Sequence, residues 1–556
     1  MLKIKNFICS LAQNNLLMFF LLVATGSYIC SQTKFENGWD FTNYHYYNAF
    51  AFLHDRLNYD IVPASLNTFF NPLIELPFYF IIQYFNDQPT IAYALQGIWF
   101  GLLLFAFYKC CTLFFEPNNI LNIVLCLLTL TIAATGQATW FQAGSSTNEI
   151  QLAFVAYTAL YFLFKMVKYP ENQKPWKYFL LGVLLGAALG LKSTIIFICF
   201  GTGFSLILCY KYLHKPLLFI ILFATGGLLG FLLTNGWWMY KMWVLYDNPF
   251  FPFLNGIFHS PYFDDINFAD RRFIPPLLLA PIFPFIWQHE ETPTAEIYFD
   301  DIHFVVFYSM ALLCLFYLLL KPAERFKKLY AHRLWFFYVI LMMMLYLFWL
   351  IMFSIYRYIV VIEMAAAIFF VKILFSYNPK NNLKFILYYV SAIFLCYLLI
   401  ENVEHHYFWK GGNRQNKMID VENIQLPPNT LLKLYSYPTA AFIPILAQNN
   451  QFRALGYKHT NAIHMQGSDF ADRGKFREIR DKIEAEHTGP VVVIYRDLGV
   501  FNISRPILHS VMDKDIYDKY CREIRNNLNE MLYICVPQAL KNEILTEQEN
   551  ESDRPQ

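Results

Sequence analysis

Two polar stretches in an otherwise apolar chain carry side chains that could do chemistry. The first reads Trp39-Asp40-Phe41-Thr42-Asn43-Tyr44-His45-Tyr46-Tyr47-Asn48 and holds one carboxylate, Asp40, between two aromatic rings. A carboxylate there could take a proton from a hydroxyl. Asp is also a favoured N-cap for the helix that the following residues suggest, and position alone leaves both roles open. The second stretch, 235–303, contains Asn248-Pro249-Phe250-Phe251-Pro252-Phe253 and the adjacent pair Arg271-Arg272. Guanidinium groups bind phosphate through two parallel hydrogen bonds, while the bland alternative is anchoring to lipid headgroups. Asp264-Asp265 and Asp300-Asp301 could ligate a divalent ion, but paired acids are common in solvated loops and no metal is expected. Lys192 and Arg357 stand beside apolar runs, where both could also snorkel harmlessly, and Glu363 follows Arg357 by nearly two turns.

The elements that must position these groups are membrane helices. Of 556 residues, 57% are hydrophobic and 15% charged, against about 25% charged in an average soluble domain. The 57 Phe and 38 Tyr suit lipid-facing and interfacial surfaces, and a net charge of +2 gives no case for nucleic acid. Spanning the hydrocarbon takes about 20 apolar residues in a helix. Candidate segments are 16–29, 72–85, 91–108, 120–138, 150–164, 178–191, 194–210, 217–233, 305–320, 334–353, 358–375 and 385–400. The first reads as an uncleaved helix, since no small-x-small cleavage site follows it. Basic short loops at 165–177, 211–215, 321–333 and 378–384 belong in the cytoplasm with the N-terminus. That arrangement leaves three polar stretches outside: 31–71, 235–303 and everything after Glu401. Parity then requires one segment fewer, and the weakest is 72–85, which carries Pro72, Pro77 and Glu75. It is read as re-entrant, leaving about eleven crossings. Residues 43–57 suggest a helix lying flat in the interface.

After Glu401 the apolar pieces become short. Residues 431–435 and 491–495 read as buried strands and 472–486 as a charged surface helix, which predicts a small α/β domain within 401–540. The tail 541–556 is polar enough for disorder. Most of the 11 Cys lie in apolar runs, whereas Cys521 and Cys535 fall in the polar region and would pair only in an oxidising compartment.

The order of these pieces resembles the GT-C superfamily of integral-membrane glycosyltransferases, and within it the mannosyltransferase-like bacterial family 87. The matching stretches are Trp39-Asp40 through Asn71-Pro72-Leu73, the Gly-rich segment ending Gly190-Leu191-Lys192-Ser193-Thr194, Asn248-Pro249-Phe250 through Arg272-Phe273, and Arg357-Tyr358 through Glu363. The likeness covers most of the first 400 residues. It departs from the family in offering one early acid rather than a pair, and no Asp-x-Asp motif.

The resemblance implies an all-α polytopic membrane module over 1–400 with an extracytoplasmic α/β domain, in a bacterial inner membrane with that domain periplasmic. It implies transfer of a sugar from a polyprenyl-phosphate donor to an acceptor hydroxyl on a glycan or lipid, with inversion and without a cofactor. Asp40 would be the base; Arg357, Arg271 and Arg272 would neutralise the leaving phosphate with Lys192 as a weaker candidate; Tyr44 and His45 would touch the acceptor. The rival reading is a non-catalytic transporter or flippase of lipid-linked glycan, which would require polar residues in matched membrane halves, and no such internal repeat is present.

Overall fold

The computed structural model describes residues 2–33, 38–172, 174–267, 269, 271, 273–286, 301–377, 382–401, 416–435, 438–457, 472–496, 516, 518–528 and 531–541. The tail expected to be disordered lies almost wholly outside the described residues. The chain divides into two compact units: Met1–Thr33, Tyr93–Gly236 and Arg271–Phe408 form the first, and Lys34–Ala92, Trp237–Asp270 and Trp409–Gln556 the second.

The first unit is helical. Among the described residues six helices are long and apolar enough to cross a membrane: Pro89–Phe115, Glu149–Lys168, Pro216–Tyr246, Ile302–Leu320, Arg333–Met352 and Asn382–Glu401. Shorter apolar helices occupy Asn15–Ser31, Ile120–Ala134, Trp176–Leu191 and Ser193–Leu208, and Val360–Leu374 adds another. Each of the segments retained from the hydropathy pattern thus falls on a helix. Leu217, Leu228, Leu233, Leu313, Phe316, Leu320 and Phe394 are exposed along three of these helices. So much contiguous apolar surface is stable only against lipid, and the protein is a multi-pass membrane protein.

Glycine decides one of the helix contacts. A Cβ on Gly182 would lie 2.1 Å from the Phe223 carbonyl oxygen, and one on Gly186 would lie 1.9 Å from that of Gly227. Helices Trp176–Leu191 and Pro216–Tyr246 therefore meet backbone to backbone, as small residues permit in membranes. The Gly-rich segment recognised in the sequence is a packing seam.

The second unit is built on a five-stranded sheet of order β2-β1-β3-β5-β4, with β1 Thr430–Tyr435, β2 Phe452–Gly456, β3 Val491–Arg496, β4 Lys519–Glu523 and β5 Leu532–Pro537. Strands β2, β1 and β3 run parallel, while β5 and β4 join antiparallel. Every residue of β1 is buried, as a central strand covered on both faces requires. Helix Gly474–Glu486 packs Phe476 into a core that also takes Phe69, Trp238, Tyr246 and Phe251 from the two polar stretches. At the β2 edge Ile61 forms a parallel bridge to Leu455. Beside it, buried Asp60 accepts Arg56 Nε and Nη2 at 2.8 Å each and Ala454 N–H at 2.9 Å. Burial raises the Asp60 carboxyl above its ordinary range, against the pull of Arg56.

The interfacial helix expected over 43–57 differs in form. The α-helix covers only Tyr46–Leu53, and Tyr46 to Ala51 are buried on all sides rather than along one stripe. Asn48 explains part of this, because its side-chain amide donates to the Asn67 carbonyl at 2.8 Å and closes the loop over the helix.

Cys521 and Cys535 face each other across β4 and β5, 4.0 Å apart at Cα, and form a disulfide. Closing 14 residues should contribute about 3 kcal/mol by restricting the unfolded chain. Replacing both with Ser is expected to lower the thermal midpoint of the full-length protein and to remove its sensitivity to dithiothreitol. A midpoint equal to that of the oxidised parent would contradict the stabilising role.

Candidate functional site

In the second unit, a helix that is α-helical at Trp39 and Asp40 passes through a turn of π-helix, Phe41–His45, and continues as α-helix over Tyr46–Leu53. In an ideal α-helix, residues five apart point roughly 140° away from each other. The wider π turn, with its i→i+5 bonding, brings them toward one side, and such turns recur at functional positions. Here His45 Nε2 lies 3.9 Å from Asp40 Oδ2, and His45 Nδ1 lies 2.6 Å from Glu75 Oε2. All three side chains are buried, at 5% exposure for Asp40, 1% for His45 and 4% for Glu75.

Asp40 has helical φ and ψ of −63° and −43° and makes no capping hydrogen bond. An N-cap residue is usually extended and accepts from the first turn. The capping role left open by the sequence is therefore not the one this side chain plays. Glu75 stands between a 3-10 turn, Pro72–Ile74, and helix Leu76–Phe85, and its side chain makes no capping bond either. Asn71 ends the preceding loop by accepting Leu73 N–H at 3.1 Å. Asp40, inside its helix, and Glu75, at the start of the next, are thus turned toward one imidazole.

Tyr44 packs its ring on His45, centroids 4.3 Å apart, and meets Phe70 edge-on at 5.5 Å. Asn43 is wholly buried, and neither its Oδ1 nor its Nδ2 has a hydrogen-bond partner among the described residues. Such a group costs about 1–3 kcal/mol if left unmet, so it marks a donor and acceptor available to a ligand. A 2.6 Å separation between His45 and Glu75 leaves no room for a metal between them, since each metal–ligand bond needs about 2 Å.

The second polar stretch is shaped by two asparagines. Asn248 Oδ1 accepts Phe250 N–H at 2.9 Å, and Asn255 Nδ2 donates to the carbonyls of Ser260, Phe263 and Asp264. Asp264 pairs with Arg473. The Asn248-Pro249-Phe250 motif is therefore a loop-building device.

In the first unit a different polar cluster gathers. Helix Ile120–Ala134 breaks at Thr135-Gly136, and a short helix, Gln137–Gln142, follows. Glu363, from helix Val360–Leu374, satisfies that break by accepting Ala138 N–H at 3.1 Å, Thr139 N–H at 2.9 Å and Thr139 Oγ1–H at 2.6 Å. A Cβ at 136 would sit 2.3 Å from the Glu363 carboxyl carbon and would displace that side chain from its present place.

Gln142 donates to the Arg357 carbonyl at 2.8 Å, which holds the 3-10 turn Tyr356–Ile359. Tyr356 O–H donates to Asp301 Oδ2 at 2.7 Å, and Asp301 Oδ1 accepts His303 N–H at 2.9 Å and so caps helix Ile302–Leu320. The Arg357 guanidinium lies 5.2 Å from the Tyr358 ring centroid. Lys192 is ion-paired with Glu149 at 2.7 Å.

Of the residues singled out in the sequence, the structure brings together Asp40, Tyr44 and His45 in the second unit. It joins Arg357 and Glu363 through the short helix in the first. Arg271 is exposed, and Arg272 lies outside the described residues. Glu149 and Gln142 escape sequence reasoning because they sit in 142–151, a run of small and polar residues that reads as an outer turn yet is buried throughout.

The fold is that of the GT-C class, a bundle of apolar helices followed by a small C-terminal sheet domain. Crystal structures of ArnT from Cupriavidus metallidurans share it, one in the apo state with a TM-score of 0.52 and one bound to undecaprenyl phosphate with a TM-score of 0.50. Each is 12% identical, over 94% of this chain and 97% of that one. No protein-family model and no curated protein matches the sequence. The likeness is one of fold and gives nothing for family 87 in particular.

Replacing Glu363 with Ala strands two backbone donors and one hydroxyl in an apolar bundle. This should cost about 3 kcal/mol, seen as a lower thermal midpoint in detergent, with Gln recovering part of the loss. An unaltered midpoint for Glu363→Ala would show that the break is satisfied in another way.

Proposed function

We propose that this protein is a membrane glycosyltransferase that moves a sugar from a polyprenyl-phosphate donor to an acceptor hydroxyl on the extracytoplasmic face, in cell-envelope glycan or glycolipid synthesis. The observation that carries the reading is Asp40, a buried carboxylate that precedes a π turn and does no capping, in a chain of GT-C fold. The ArnT structure bound to undecaprenyl phosphate supports a lipid-phosphate donor. The Cys521–Cys535 disulfide supports an oxidising, extracytoplasmic setting for the second unit, in a bacterium the periplasmic side of the inner membrane. The finer likeness to family 87 rests on sequence motifs alone.

In this reaction Asp40 takes the acceptor hydroxyl proton as the oxygen attacks the anomeric carbon, and the sugar–phosphate bond breaks on the opposite face with inversion. The leaving phosphate keeps its electrons and needs cations, the role of Arg357 with Arg271, Arg272 and the weaker candidate Lys192. Lys192 would first have to loosen its pairing with Glu149. Tyr44 takes the acceptor-contact role expected of the Tyr44 and His45 pair, and Asn43 adds an unmet amide one turn from Asp40. His45, 3.9 Å from Asp40 and 2.6 Å from Glu75, is assigned in this reading to those carboxylates rather than to the sugar.

Asp40→Asn keeps the size of the side chain and removes its basicity. In vesicles supplied with a polyprenyl-phosphate sugar it is expected to slow transfer by about 10²–10⁴-fold while the protein inserts and melts as the parent does. Transfer at the parental rate would refute Asp40 as the base.

A further inference from the structure

The pair formed by His45 and Glu75 is not used by the reaction as described, and both side chains are buried. Two independent features single it out. His45 is buried between two carboxylates, 3.9 Å from Asp40 and 2.6 Å from Glu75. The chain also adopts a π turn between Asp40 and His45, which turns Nε2 toward the carboxylate.

A neutral imidazole has one N–H and one lone pair, and its tautomer is set by whichever partner is closer. Glu75 Oε2 lies 2.6 Å from Nδ1 and Asp40 Oδ2 lies 3.9 Å from Nε2, ion-pair contacts rather than aligned hydrogen bonds, and the closer carboxylate favours the proton on Nδ1, which leaves the Nε2 lone pair on the Asp40 side. The Asp40 distance is open by about 1 Å relative to a hydrogen bond, and catalytic contacts in unliganded proteins commonly tighten when substrate binds. Tyr44, stacked on the imidazole, and Phe70 against Tyr44 fix the ring plane.

We propose that Glu75, His45 and Asp40 form a proton relay: Asp40 removes the acceptor hydroxyl proton and passes it to His45 Nε2, and Glu75 holds the resulting imidazolium through Nδ1–H. This inference rests on Asp40 being the base. The step balances: the acceptor O–H bond breaks and its oxygen forms the new glycosidic bond, the anomeric carbon–oxygen bond to the lipid phosphate breaks with its electron pair leaving on the phosphate, and the proton ends on Nε2. The imidazolium then lies between two carboxylates, and the proton leaves to water once product departs. In this arrangement His45 and Glu75 are positioning residues that touch no substrate. The relay keeps Asp40 anionic through the step, which a lone buried carboxylate would not be after accepting the proton. Burial strengthens both contacts, because no water competes for the imidazole nitrogens.

The test compares Glu75→Gln, Glu75→Asp and Asp40→Asn in the full-length protein in vesicles, with a polyprenyl-phosphate sugar and its acceptor. Glu75→Gln preserves shape but cannot balance an imidazolium, so kcat is expected to fall on the order of 100-fold with KM for donor and acceptor unchanged. Glu75→Asp should restore part of that loss. Adding Glu75→Gln to Asp40→Asn should cause no further drop, since the two act on one proton. A parental kcat for Glu75→Gln overturns the relay, as does a raised KM with kcat intact. If Glu75→Gln fails to insert, His45→Gln read by the same split of kcat and KM decides the question. An inactive Asp40→Asn beside a fully active Glu75→Gln sinks the relay alone, whereas an active Asp40→Asn removes the reaction on which it rests.

Discussion

Hydrocarbon offers no hydrogen bonds, so each polar group that a membrane bundle carries must find a partner within the protein or be placed at a helix end. Among the described residues the first unit meets this demand at three helix ends. The broken helix at Thr135-Gly136 is met by Glu363, the end of helix Trp176–Leu191 carries Lys192 to Glu149, and Asp301 closes the start of helix Ile302–Leu320. The consequence is that charge collects where helices stop. The exposed faces of Pro216–Tyr246, Ile302–Leu320 and Asn382–Glu401 are left to apolar side chains.

The second unit answers a different demand. It holds several carboxylates out of water. Asp60 shows the structural use of such a group: Arg56, Tyr47 O–H and a backbone N–H all converge on it and join the first stretch to β2. Asp40 and Glu75 are buried on either side of His45, 3.9 Å and 2.6 Å from its ring nitrogens.

Hydropathy finds the membrane helices because a run of apolar residues has little else it can be, and the buried strands β1 and β3 announce themselves by Leu and Val runs. Charge in apolar surroundings marks Asp40, Lys192 and Arg357 for the same reason. What one-dimensional reading does not carry is pairing. Glu75 reads as a liability in segment 72–85 because its partner lies 30 residues earlier. The π turn has no sequence signature, so a flat helix is the natural expectation for 43–57. Strand β4, Lys-Tyr-Cys-Arg-Glu, is an edge strand whose charges obscure it. Residues 143–151 look solvated and are buried because Gln96 donates to the Ser145 carbonyl and Lys192 pairs with Glu149.

The central claim is that a lipid-linked sugar is transferred rather than carried. Its most direct test follows a polyprenyl-phosphate sugar, labelled separately in the sugar and in the lipid, in vesicles containing the purified protein and an acceptor extract. Transfer predicts that the labels part, with the lipid recovered as polyprenyl phosphate and the sugar on the acceptor. Labels that stay together while the intact donor moves between leaflets would contradict the account and favour a flippase.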